Sequence, residues 1–420
     1  MDLRASDEKG SQKLDGGRWT GMNTIPIQGL CDPRFTAVHE VFRENFAQRG
    51  DIGAAVCVYA EGKPVVDLWG GHADAACTRP WERDTIANVA STTKGMVAIC
   101  VHRLVEHGLL DLDAPVASYW PEFAQAGKAK IPVRWLLSHQ AGLPAVRQEM
   151  PLATLYDWQA YPKALASSEP WWAPGTQHGY HALTFGYLVG EVIRRISGKS
   201  VGQFLRTEVT GPLDADFFIG VPASEDHRAA EILPESLPRP GEKTLWDVIR
   251  RDRTSMTGRA FLNPPRGAAI TASRAWRAAE IPSSNGHTTA RALARIYGTL
   301  ARGGALDGVH LLHPATIEDA IVEQSFGPDA ILSITTRFGL GFMLTQPQSA
   351  GEPSPGLASF GPNERVFGHP GQGGSIGFAD LDGQVGFGYI MNQYQSGTSK
   401  HPDRRWQALV EAVYASLGAK

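Results

Sequence analysis

Residues 91–108 read STTKGMVAICVHRLVEHG. Met96, Val97, Ile99, Cys100, Val101, Leu104 and Val105 leave almost no polar face, so the stretch predicts a helix buried on most sides and ended at Gly108. Ser91 stands at its start, and Lys94 follows one turn later on the same face. A lysine carried into an apolar helix has to be paired or deprotonated, because burying a lone ammonium is costly. Ser91 also lies near free backbone N–H groups and the positive end of the helix dipole, which suit a developing oxyanion. Spacing alone does not decide the matter. Ser6-Asp7-Glu8-Lys9 has the same form, and a capping serine with a snorkelling lysine would read the same way.

A second serine competes with it. Residues 368–378, GHPGQGGSIGF, hold Gly373-Gly374-Ser375-Ile376-Gly377, the G-x-S-x-G of a nucleophile elbow. An elbow needs a strand, a sharp turn and a helix, then an acid and a histidine further on. Here Ser375 is followed by IGFADLDGQVGFGYIMN, where Asp382-Gly383 between apolar segments predicts a two-residue type I′ hairpin turn. Asp382 and His401 stand in the right order, but too little chain separates them for the usual intervening strands. Ser375 is therefore expected to be a bystander, with Gly373, Gly374 and Gly377 allowing a tight approach beside a ligand.

The rest of the chain frames these two stretches. Helical spacing over 35–49 is followed by IGAAVCVYA-EGK-PVVDLWGG, which reads as a β-hairpin. From about 111 to 289, helical segments (VRWLLSHQ, LTFGYLVGEVIRRISG, VGQFLRTEV) alternate with loops rich in Pro and Trp, and 222–285 is the least regular part. TTARALARIYGTLARGG is an amphipathic helix stopped at Gly303. From 337 the pattern turns to strands (FGLGFML, RVFGHP, SIGFADL, VGFGYIMN), and RRWQALVEAVYASLG closes the chain as a helix. The expected fold class is α/β (α+β), with a central antiparallel sheet flanked by helices. Residues 1–27 form a disordered tail, 28–110 and 287–420 a discontinuous α/β domain, and 111–286 an inserted, mainly helical domain.

Composition narrows the function. The 420 residues carry a formal net charge of -3, with no basic excess to hold nucleic acid or an anionic membrane. No apolar run approaches the ~18 residues of a spanning helix. Cys31, Cys57, Cys77 and Cys100 are scattered, as suits a reducing compartment rather than a disulfide framework. The polar N-terminus lacks a signal-peptide core, Met22 is a candidate start of the folded protein, and a cytoplasmic location is expected.

STTK before a buried helix, LLSHQAGLP, PGTQHGYHALTFGYLVGEVI and GHPGQGG occur in that order at suitable spacings. Together they resemble the serine β-lactamase-like superfamily, and within it the family VIII carboxylesterases, relatives of class C β-lactamases and penicillin-binding proteins. The resemblance runs from about residue 33 to the C-terminus. It implies the β-lactamase-like fold, with Ser91 as nucleophile and Lys94 as its partner. Tyr180 matches the tyrosine of the family's Tyr-x-Asn motif. His369-Pro370-Gly371 stands where β-lactamases have Lys-Thr-Gly. The resemblance implies that the N–H groups of Ser91 and Gln372 form the oxyanion hole and that His369, Gly371 and Gly373 border the substrate; His181, beside Tyr180, is placed with them, the other reading being that it hydrogen-bonds within the helical domain. It implies no metal or organic cofactor, and either Lys94 or Tyr180 as base. Two departures stand out. Ala182 replaces the asparagine of Tyr-x-Asn, and His369, largely neutral at pH 7, replaces a lysine. Both weaken recognition of an anionic lactam and point to neutral short-chain or aryl esters. A lactamase, a D-amino-acid peptidase, an amide-oligomer hydrolase or an acyltransferase on the same scaffold is the alternative. The expected partner is a small-molecule ester. Oligomeric state is left open, with a homodimer as one option.

Other residues carry weaker signals. His178 and His181 form H-x-x-H without an acidic ligand beside them, which argues against zinc. His139 is expected to join loops of the helical domain, and Trp171 and Trp172 to be core. Ser283-Ser284-Asn285-Gly286 is expected to be the capping turn of the helix that follows, with a place on the site's rim as the minor reading.

Overall fold

The computed structural model describes residues 25–236, 244–346, 360–395 and 403–418. The N-terminal tail, apart from its last residues, and His401 lie outside them. Strand β1 (Ile27–Cys31) leads into helix α1 (Thr36–Gln48) and the hairpin β2 (Gly53–Ala60) and β3 (Lys63–Gly71). After β4 (Ala87–Asn88) comes α2 (Thr93–Glu106), the helix expected to be buried. The middle of the chain holds α3 (Val133–Leu137), α4 (Ala160–Ser167), α5 (Thr184–Ser197), α6 (Val201–Leu205) and β5 (Phe217–Phe218). The short helices α7 (Leu245–Arg251), α8 (Met256–Leu262), α9 (Ala268–Thr271) and α10 (Arg274–Ala278) follow. Next come β6 (His287–Thr288), α11 (Ala290–Ala301), the small hairpin β7 (Ala305–Leu306) and β8 (Val309–His310), and α12 (Pro314–Ala320). The chain ends with β9 (Ser325–Pro328), β10 (Thr335–Phe338), β11 (Met343–Leu344), β12 (Val366–Pro370), β13 (Ile376–Asp380), β14 (Val385–Met391) and α13 (Arg404–Gly418).

Nine strands form one antiparallel sheet in the order β1-β3-β2-β14-β13-β12-β11-β10-β9, so strands from both ends of the chain share it. β2 is buried along its whole length. Its alternation explains why. Ala54, Val56, Val58 and Ala60 face one core with α1 and α13, while Ala55, Cys57 and Tyr59 face the other with α11 and α2. A strand covered on both faces is apolar at every position rather than alternating. In α2, Thr93 to His102 and Leu104 are buried, so Lys94 is carried inside with its helix.

Four expectations need correction. β1 begins at Ile27, which pairs with Gly70, so the predicted tail runs into the sheet. FGLGFML is not one strand: β10 ends at Phe338 and β11 begins at Met343, with Gly341 at φ +92° in the turn between. The β13–β14 connection is a four-residue loop, because Asp380 pairs with Val385. The Asp380 carboxylate accepts the N–H groups of Asp382 and Gly383, and Gln384 rather than Gly383 takes the positive φ. Finally, β5, inside the predicted helical insertion, pairs with β6, which also pairs with β4. These pairings lock the middle of the chain to the two stretches flanking Ser91 and α11.

Candidate active site

Ser91 lies in a 3-10 turn, Ala90–Thr92, that leads directly into α2. Ala90 before it has φ +44°, a left-handed conformation that costs a non-glycine residue roughly 1–2 kcal/mol. Side chains hold it there: its N–H donates to Asn88 Oδ1 (3.2 Å), and its carbonyl accepts from Thr93 Oγ1 (2.6 Å). The turn thus raises Ser91, half-buried, into a cleft of about 1230 Å3. Tyr180, Ala182, Ser284, His369, Gly371, Gln372 and Gly373 line the same cleft.

Lys94 is fully buried, with Nζ 3.2 Å from Ser91 Oγ and 2.9 Å from each of the carbonyl oxygens of Ala182 and Ser283. Among the described residues it has no carboxylate partner. Burial pushes its pKa well below the ordinary lysine value, and the Arg266 guanidinium pushes it the same way. Its nitrogen also sits 4.7 Å from the centre of the Tyr180 ring. Tyr180 is buried and has its O–H 3.5 Å from His369 Nε2. Burial raises the Tyr180 pKa above the ordinary phenol value, against a smaller lowering influence of the Ser91 side chain. His369 Nδ1 lies 2.7 Å from the carbonyl of Pro370, which can only accept, so Nδ1 carries the proton and Nε2 is free to accept.

No motif marks the group that fixes Tyr180. The buried Asp329 carboxylate accepts the Tyr180 N–H (3.0 and 3.1 Å), those of Ile331 and Leu332 (2.8 Å each), and Thr336 Oγ1 (3.1 Å). His139, at φ +61°, packs its ring 5.0 Å from that of Tyr180, and its carbonyl accepts the N–H of Gly179. It therefore acts on the tyrosine directly as well as joining loops.

His181 departs from its expected place at the substrate. It is fully buried behind Tyr180, its Nδ1–H donates to Gly179 O (2.7 Å), and its Nε2 accepts from Leu143 N–H (3.0 Å). Both nitrogens are committed to the scaffold, and the residue does not line the cleft. His178 likewise bonds Thr336 (2.9 Å). Ser283-Ser284-Asn285-Gly286 is more than a capping turn. Thr289 caps α11, while Ser283 supplies a carbonyl to Lys94, and Asn285 ties the loop to the carbonyls of Trp276 and Ala279. Trp171 and Trp172 do not border the cleft, but both are half-buried rather than core as expected; Trp246, Trp276 and Trp406 line it.

Ser375 is fully buried and points away from the cleft. Its Oγ donates to Val89 O (2.8 Å) and meets Thr92 Oγ1 at 3.3 Å, so it ties the start of β13 to the Ser91 turn. Gly371 sits in this seam, where a Cβ would lie 2.2 Å from both Val89 O and Ser375 Oγ. Only glycine lets the two segments approach so closely.

The neutral state of these imidazoles affects stability. Burial lowers His181 and His369 to about 3 and His287 to about 4, against about 6.5 in an unfolded chain. The unfolded chain takes up protons below about pH 6.5 while the folded protein refuses them, so this stability is present above that pH and lost as the pH falls toward 4. Each histidine is expected to contribute a slope of about 1.4 kcal/mol per pH unit. Denaturant unfolding at about pH 7 and about pH 5.5 checks this, and an equal midpoint at both would contradict it.

Comparison with known proteins agrees with this arrangement. A β-lactamase family profile matches residues 39–412. The esterase/β-lactamase LipL of Mycobacterium tuberculosis is 38% identical over 376 residues, covering 88% of this chain and 84% of LipL. Among solved structures, a family VIII carboxylesterase superposes with a TM-score of 0.83 at 43% identity, covering 93% of this chain and 100% of the other. A penicillin-binding protein homolog from Caulobacter crescentus gives 0.82 at 41% identity, with coverage of 93% and 100%. Among the described residues no helix is long and apolar enough to cross a membrane. The chain belongs to the β-lactamase family and is a serine hydrolase of the β-lactamase/esterase superfamily.

Proposed function

We propose that the protein hydrolyses small carboxylic esters through an acyl-enzyme on Ser91, with Lys94 as the acylation base. The observation that carries this reading is the environment of Lys94 Nζ. Two carbonyl oxygens at 2.9 Å accept two N–H bonds, and a neutral amine has two N–H bonds and one lone pair. The lone pair then faces Ser91 Oγ at 3.2 Å and takes its proton as Oγ attacks the ester carbonyl. Tyr180, whose pKa is raised, keeps its O–H and acts as a donor rather than as a phenolate base. It delivers a proton to the departing alkoxide, and the Lys94 ammonium restores the tyrosine's proton. Water then attacks the acyl-enzyme and the same groups return Ser91 to its hydroxyl form. The N–H groups of Ser91 and Gln372 hold the oxyanion; a donor of this kind is worth about 10²–10³ in rate. Ala182 and the neutral His369 offer no charge beside the nucleophile, which favours esters over anionic lactams.

Turnover of p-nitrophenyl butyrate against nitrocefin tests the reaction class, and faster nitrocefin turnover would move the protein to the lactamase side. The pH profile tests the base. With Lys94 as base and Tyr180 protonated, kcat/KM is expected to fall on acidification and to level off well below the ordinary lysine pKa, staying level through the ordinary tyrosine range. A rate that still climbs through the ordinary tyrosine range would indicate a phenolate base.

A further inference from the structure

The cleft has a charge that the chain as a whole lacks. Among the described residues its lining includes Arg49, Arg250, Arg253, Arg266 and Arg404 but two carboxylates, Glu235 and Asp403, in a protein of net charge -3. Arg49 and Arg250 are paired with Glu44 and Asp247, and Asp403 is committed to Arg405. Arg253, Arg266 and Arg404 have no ion pair among the described residues.

Arg266 is the deepest of the three. It is half-buried, directly before α9. Its Nε and Nη2 both donate to the carbonyl of Phe261, at 2.9 and 2.8 Å, which fixes the guanidinium without neutralising it. It is close enough to the catalytic groups to act electrostatically on both Lys94 and Tyr180. Around it the cleft is apolar, with Leu245, Ile249, Phe261 and Leu332 among its walls. A held but unneutralised guanidinium at an apolar wall, facing a cavity, is suited to accept a carboxylate.

We propose that the preferred substrate is an ester that itself carries a carboxylate, which Arg266 binds while Ser91 attacks the ester carbonyl. This rests on the esterase reading and narrows it. Charge recognition then lies on the wall built by the irregular segment rather than on the strand that carries the neutral His369. A neutral ester remains a substrate but lacks this anchor.

The experiment compares matched pairs. p-Nitrophenyl hemiglutarate against p-nitrophenyl valerate places the charge on the acyl side. para-Acetoxybenzoate against its methyl ester places it on the alcohol side. In the wild-type protein, one anionic ester is expected to exceed its neutral partner in kcat/KM by about tenfold or more, chiefly through KM. The ratio should shrink toward one between about 20 mM and about 500 mM salt. Arg266→Met should collapse the ratio and Arg266→Lys restore part of it, each ratio being taken within one protein so that a general loss of activity cancels. The pair that responds identifies the side of the ester that bears the charge. No preference in either pair, or a preference unchanged in Arg266→Met, overturns the proposal while neutral-ester turnover leaves the esterase reading intact. Absence of turnover on all four esters overturns both.

Discussion

Ser91→Ala is expected to abolish ester hydrolysis, lowering kcat/KM by a factor on the order of 10⁴ to 10⁶, as loss of a nucleophile does in serine hydrolases. Ser375→Ala is expected to leave the reaction running. The two serines lie in adjoining segments, and the structure separates their tasks. Ser91 meets Lys94 and borders the cleft, whereas Ser375 is buried and hydrogen-bonded to Val89 O. Losing the Ser375 hydroxyl removes one seam bond, worth about 0.5–1.5 kcal/mol of stability, with a modest loss of rate as the Ser91 turn loosens. Steady-state kinetics of both variants, with thermal unfolding alongside, decides between them. Hydrolysis that survives Ser91→Ala and disappears with Ser375→Ala would reverse the assignment.

The second large effect lies away from the cleft. Arg405 on α13 is fully buried, and so is its partner Asp51. Its Nη1 donates to Asp51 Oδ1 (3.0 Å) and to Gln393 O (2.8 Å), and its Nη2 donates to Gly373 O, next to Gln372. Tyr389 O–H donates to the same Asp51 carboxylate (2.7 Å). Arg405 also holds Asp403, at the start of α13, so removing the guanidinium leaves the buried Asp51 carboxylate and the nearly buried Asp403 without their counter-charge; breaking such a buried pair costs about 3–5 kcal/mol. Arg405→Met is therefore expected to lower the denaturant midpoint strongly. It should also weaken catalysis, because the loop that presents Gln372 loses its anchor. Adding Asp51→Asn should recover a substantial part of the stability, since the penalty is the unpaired charge rather than the lost contact. Equal stability of Arg405→Met and the wild type would show that the network does not hold the loop.

The most legible parts of the fold are those where a single helix or hairpin carries its own signal. The burial of α2 follows from Met96 to Val105 having almost no polar side, and the β2–β3 hairpin from two apolar runs around a polar turn. The corrections fall where side chains or distant segments decide. Asp380 sets the length of the β13–β14 loop through its carboxylate, so the Asp382-Gly383 pair does not form the two-residue turn it suggests. The two-residue strands β4, β5 and β6 are too short to show a period, and they exist because three remote segments meet.

For the site, local spacing puts Ser91 one turn from Lys94, and the ordered motifs add Tyr180 and the stretch around Gln372. What spacing does not contain is protonation. Folding removes Lys94 from water and gives it two carbonyl partners from segments 88 and 189 residues away, Ala182 and Ser283, which pushes it toward the neutral amine. His181 looks like a substrate contact in sequence because it adjoins Tyr180, yet both its nitrogens turn to the scaffold. Asp329, Arg266 and Arg405 have no motif at all. Each acquires its place from what the fold buries beside it: a tyrosine's backbone, an apolar cleft wall, a pair of carboxylates. The sequence by itself determined which helix is buried and which serine and lysine start it, because these depend on residues within a few turns of each other. Only the tertiary structure decided which groups are charged, because charge inside a protein depends on burial and partners, and those come from residues far apart in the chain.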